Sequence, residues 1–122
     1  MTSGAAILYA VICTGVIAFQ CCLMAGAPWG RVTQGGQHAG TLPLSGRVIA
    51  AISVPLLTFM AAATLSAADI WLHWPRWTSW TALGIQSLST LLNWITPSRP
   101  ERLLWAPVTS VMLALVLLVN FA

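Results

Sequence analysis

The stretch VIAAISVPLLTFMAAATLSAA, residues 48–68, contains no charged side chain. As a helix it is long enough to cross a hydrocarbon core about 30 Å thick, which takes roughly 20 residues. Three more uncharged stretches of comparable reach lie on either side of it, at 1–30, 77–98 and 103–122. Together they take up most of the 122 residues, and only 6% of the chain is charged. A water-soluble domain carries about a quarter charged residues. The composition therefore points to a chain whose solvent is mostly lipid. The expected fold is all-α, a single domain over 1–122. It is a four-helix transmembrane bundle of antiparallel up-down topology, with spans at 5–24, 48–70, 77–95 and 103–121. One loop of real size, 27–46, joins the first two spans and is expected on the inner side.

Charge sets the expected orientation. Arg31, Arg47, Arg99 and Arg102 fall in the first loop and the last turn, whereas Arg76 alone falls on the opposite side. Arginine flanks the cytoplasmic ends of spans, so the four-to-one split puts both termini outside the cytoplasm of a multi-pass cell-membrane protein. Trp71, Trp74, Trp77 and Trp80 crowd the outer turn, and Trp29, Trp94 and Trp105 lie near inner ends of spans. This is the pattern of aromatic belts at the headgroup level. The N-terminus lacks a positive region, and its apolar run is too long for a signal peptide, so it reads as a retained first helix.

Local chemistry adds detail. Ser98 and Glu101 match S-x-x-E, a capping box at the start of the fourth span. In it the hydroxyl accepts from the Glu101 N–H and the carboxylate from the Ser98 N–H. Pro100 suits a first helical turn, and Pro107 is expected to kink the span and free the carbonyl of Leu103. Ala6, Ala10, Thr14, Ala18 and Cys22 recur every four residues and predict a small-residue ridge for close packing of span 1 on span 2. The leucine-rich outer half of span 4 is expected to meet lipid or a partner subunit.

Span 3 is the most polar. Gln86, Thr90 and Asn93 share one helical face, which must point inward because an unpartnered amide in hydrocarbon loses several kcal/mol. Gln20 lies at a depth comparable to Asn93, and an amide contact between the two is expected. The stripe reads either as polar glue between helices or as a path.

Two other clusters are candidate sites. Asp69 and His73, four residues apart, are expected on one helical face as an outer-interface pair. A carboxylate that orients an imidazole can also serve a proton relay or part of a metal site. Arg31, His38, Arg47, Arg99 and Arg102 surround the glycine-rich segment GRVTQGGQHAGTLPLSGR, 30–47, and could bind anionic lipid headgroups through guanidinium groups and backbone N–H donors.

Several classes are excluded or unsupported. The arginines do not form a basic groove, so no nucleic-acid partner is expected. Cys13, Cys21 and Cys22 lack Cys/His zinc spacing, so neither a metal nor a cofactor is expected, and the thiols read as small apolar residues. No nucleophile triad and no H-E-x-x-H occur. Asp69 and Glu101 lie near opposite faces, too far apart for a carboxylate acid–base pair.

Four short spans bring the small multidrug-resistance transporters to mind, but those carry a glutamate in the first helix and span 1 has no acidic residue. The segments AGAPWG (25–30), the glycine pair at 35–36 with LP at 43–44 and Arg47, and N…SRPERLLWAPV (93–108) resemble a group of small four-span bacterial integral membrane proteins. That resemblance implies the fold and a membrane location and carries no activity with it. The leading functional expectation is a structural or accessory membrane protein without an active site of its own. Its partners would be membrane lipids and a second copy or another membrane protein. The alternative is a small transporter or channel along Gln86, Thr90 and Asn93, and the third reading is an enzyme handling lipid or quinone at the inner mouth. A cavity reaching Asn93 separates the second reading from the first.

Overall fold

The computed structural model describes residues 2–38 and 40–121. Four helices form: α1 (Thr2–Met24), α2 (Leu44–Ala67), α3 (Arg76–Ile95) and α4 (Arg99–Phe121), with two single 3₁₀ turns, Gly30–Val32 and Gln34–Gly36, in the loop between α1 and α2. Among the described residues all regular structure is helical. Three helices, α1, α2 and α4, are long and apolar enough to cross a membrane. α3 is 20 residues long, but its amides and hydroxyls keep it from matching the apolarity of the other three.

The helix ends follow from local backbone chemistry. α1 stops where Gly26 takes a left-handed conformation (φ 103°). The N–H of Gly26 then reaches the carbonyl of Leu23 (3.2 Å) and that of Ala27 the carbonyl of Cys22 (2.9 Å). This pair of bonds satisfies the last carbonyls of the helix. α2 ends the same way with Asp69 in the glycine position: Asp69 is left-handed (φ 57°), its N–H bonds to Ser66, and that of Ile70 bonds to Leu65. Asp tolerates this conformation better than most residues. The chain turns left-handed again at Leu72 and His73. The expected helical face carrying Asp69 and His73 is therefore not formed: the helix closes at Ala67, and both residues are exposed on an irregular turn. α2 also begins earlier than expected, at Leu44, with Pro43 as the capping residue.

α1 packs most extensively on α2 and α3 on α4, with α1 also against α4 and α2 against α3. Contacts fall into three layers. Ala5, Ala6 and Val119 meet with Leu65 and Ala67 at one end. The middle layer holds Tyr9, Cys13, Met60, Ala63, Ala82, Met112 and Val116. At the loop end Leu23, Leu42 and Ala50 close over Phe19 and Met24. The small-residue ridge of α1 is not the packing face along its whole length. Ala6 is fully buried, but Thr14, Ala18 and Cys22 are exposed. Instead Ala6, Tyr9, Cys13 and Leu23 turn inward, because a run of three- and four-residue steps tracks one helix face better than a strict step of four.

Candidate functional site

The polar face of α3 does turn inward, and it divides into two parts. Gln86 and Thr90 are buried and tie three helices together. The Tyr9 hydroxyl of α1 donates to Gln86 Oε1 (2.9 Å), and Gln86 Nε2 donates to the Thr109 carbonyl of α4 (3.3 Å). The Thr90 hydroxyl donates to the same carbonyl (3.1 Å). Gln86 Nε2 also approaches Thr90 Oγ1 (3.4 Å), so both N–H groups and the carbonyl of the amide have protein partners. Asn93, one turn further on, is only half-buried and donates to the Ser89 carbonyl of its own helix (2.7 Å).

Beyond Gln86 the bundle opens into a cavity of about 730 Å³. Gln20 of α1 and Asn93 of α3 both line it. Their expected amide contact is not made, since they border open space. Leu56, Leu57 and Met60 of α2 and Leu88 and Leu92 of α3 provide apolar walls, and Gln86 lies at the deep end. At the shallow end Gln34, Gly35 and Gln37 of the loop meet Glu101 of α4. A volume between about 300 and 1,000 Å³ with mostly apolar walls and a few convergent polar groups is the usual form of a small-ligand site.

The loop that closes the shallow end is fastened at named points. Trp105 Nε1 donates to the Val32 carbonyl (2.7 Å) and the Ser98 hydroxyl to the Arg31 carbonyl (2.6 Å). Gln34 Nε2 donates to the Gly46 carbonyl (2.8 Å). Phe19 stacks on Trp29 (centroids 5.7 Å) and meets the edge of Trp105 (4.9 Å). Two glycines make the fit possible. A Cβ on Gly30 would lie 1.8 Å from the His38 carbonyl oxygen, and one on Gly36 would lie 2.6 Å from the Ser98 Cβ.

Glu101 corrects the expected capping box by half. The Glu101 N–H does donate to Ser98 Oγ (3.3 Å). Its carboxylate does not return to the Ser98 N–H, which bonds to Thr96 Oγ1 instead (3.3 Å). Glu101 Oε2 accepts from the Gly35 N–H across the mouth (3.1 Å), and the residue is buried at 6% exposure. The arginines of the same end do not converge on one point. Arg47 Nε bonds to the Leu42 carbonyl (3.1 Å) and Arg102 to the Thr96 carbonyl (3.1 Å), while Arg31 and Arg99 are exposed and His38 is half-buried. Among the described residues no group of three His, Cys, Asp or Glu side chains stands close enough to hold a metal ion. Cys13 is buried in the core, and Cys21 and Cys22 are exposed free thiols.

Sequence reasoning missed Tyr9 and the true partner of Glu101. The signal for Tyr9 was present: it is the sole tyrosine of the chain, set in an apolar helix where its hydroxyl needs a partner. Glu101 gave no such signal, because the partner N–H belongs to a glycine distant in sequence. No protein-family model, curated protein or solved structure matches this chain.

Proposed function

We propose that the protein is a four-span integral membrane protein that binds a small ligand in a cavity opening at its loop end. The cavity reaching Gln20 and Asn93 is the observation that carries this reading. A bundle serving only as scaffold would pack these two amides against each other. The start of α1 and the end of α4 meet in the same layer, which supports an up-down antiparallel arrangement. α3, about 30 Å long at 1.5 Å per residue, reaches across with its polar face covered. The arginine split supports a cytoplasmic loop and external termini. Access is one-sided, because the Tyr9–Gln86–Thr109 contacts fill the bundle below the cavity. That is the form of one access state of a small transporter rather than of an open channel.

The test is thiol labelling in a background with Cys13, Cys21 and Cys22 replaced by alanine. A membrane-impermeant thiol reagent applied from the loop side should label Asn93→Cys and leave Ala63→Cys untouched. Reporter fusions at Gln37 and at the C-terminus should give opposite locations. An unlabelled Asn93→Cys would mean a dry interior and would sink the ligand reading.

A second reading, assembly with another copy or a membrane partner, has its own observation. Thr14, Ala18 and Cys22 form a small-residue ridge on the outside of α1, a surface suited to close approach of another helix. Cross-linking through Ala18→Cys in native membranes should trap that neighbour.

A further inference from the structure

The seam between α2 and α3 is the loosest between neighbours around the bundle. Leu56 on one side of it and Leu88, Leu92 and Ile95 on the other line the cavity, yet they are also 41–64% exposed. Side chains that face a cavity and the outside at once mark the edges of an opening. This opening lies along the flank of the bundle, between apolar walls. At the loop end of the same cavity stands Glu101, with one N–H, that of Gly35, bonded to its carboxylate. An ionised carboxylate has roughly four acceptor positions, and burying it is unfavourable unless they are served. Next in sequence, Arg102 holds its guanidinium at the carbonyl of Thr96, which is itself a wall residue. Glu101 thus lines the mouth itself, and the guanidinium of Arg102 stands behind the wall residue Thr96.

From these observations we infer that the cavity seats the headgroup of a zwitterionic aminophospholipid, which enters from the bilayer between α2 and α3. This rests on the ligand-cavity reading above and adds the class of ligand and its route. The primary ammonium bonds to Glu101 and the phosphate to Arg102, both charge-assisted contacts. About 730 Å³ takes a headgroup and the first part of an acyl chain, and the rest of the lipid lies along the seam. An ammonium with three N–H donors satisfies the carboxylate, whereas a choline head offers none.

The test uses the full-length protein, delipidated in a nonionic detergent and titrated with short-chain phosphatidylethanolamine, phosphatidylcholine and phosphatidylglycerol. Binding is followed by the shift in melting temperature. Phosphatidylethanolamine should bind about tenfold more tightly than the other two, the gain expected of one charge-assisted hydrogen bond. Glu101→Gln should erase that preference. Leu92→Trp, on the exposed edge of the seam and so harmless to folding, should weaken the binding of every phospholipid. The wild-type preference and the Leu92→Trp result stand even if Glu101→Gln does not fold. Equal or tighter binding of phosphatidylcholine or phosphatidylglycerol overturns the assignment of the head. If chain-free phosphoethanolamine binds as well as the lipid and Leu92→Trp has no effect, the lateral route is overturned while the ligand cavity stands. Absence of all binding, with Asn93→Cys still labelled from the loop side, overturns this inference alone.

Discussion

At the end of the bundle where α1 begins, helix touches helix; at the loop end, a folded loop and a cavity come between them. The first end is built from small residues. Ala5 and Ala6 are buried, and α3 is joined to α4 by Ser79 bonded to the Asn120 side chain and by Arg76 bonded to the Asn120 carbonyl (2.9 Å). At the second end the larger groups are aromatic and amide side chains, and the polar links run from helix to loop. The difference teaches where selection of residue size acts. Where backbones meet closely there is no room for a ligand, and where a loop supplies the closing surface the helices are free to stand apart.

The sharpest way to break this contrast is at Gly30. Gly30→Ala drives a Cβ into the His38 carbonyl and should destabilise the protein by about 3 kcal/mol, the upper end for overpacking a tight site. The loss should show as a lower melting temperature in detergent. Gly84→Ala, whose Cβ would meet nothing within 4 Å, is the control. Removing a glycine inside α3 should leave stability unchanged or raise it by up to about 1 kcal/mol. Equal effects at the two glycines would mean that the loop is not clamped as described.

A smaller loss is expected at the boundary between the two regions. Tyr9→Phe deletes the donor to Gln86 and leaves a buried amide oxygen unserved, a loss of about 1–3 kcal/mol. Tyr9→Phe combined with Gln86→Leu should be less harmful than the sum of the two single changes, because the orphaned group is removed with its partner. Additive losses in that double-mutant cycle would show that Tyr9 and Gln86 act independently. The smallest effect belongs to Ser98→Ala, at about 0.5–2 kcal/mol for a lost helix cap. It also cuts the bond to the Arg31 carbonyl. Hydrogen exchange should therefore speed up in the loop at Gly35 and Gly36 more than at the start of α4, and the reverse order would make Ser98 a cap and nothing else.

The helical character of the chain was legible because its causes are local: uncharged runs and the serine ahead of α4 act within a few residues. The start of α2 at Leu44, with Pro43 as its capping residue, was not read from the sequence. The inward turn of Gln86 and Thr90 was also legible, since the alternative leaves an amide unpartnered in an apolar setting. The candidate site was only half legible. Asn93 and Gln20 were recognised as polar groups of similar depth, but sequence spacing holds no measure of the distance between helices, so a contact was expected where a cavity lies. The end of α2 was misplaced because Asp69 took the left-handed position usually filled by glycine, a substitution that periodicity does not reveal.

By itself the sequence pointed to an all-helical chain with four spans, of which three are long and apolar enough to cross a membrane, and to the face of α3 that must be covered. These follow from hydrophobicity and from the need of every buried polar group for a partner, both readable one segment at a time. Only the tertiary structure decided that Glu101 reaches Gly35, that Tyr9 meets Gln86, and that the helices part to leave a cavity at one end. Each of these depends on groups far apart in the chain arriving at the same place. That is set by the combined packing of all four helices and the loop, and no single stretch contains it.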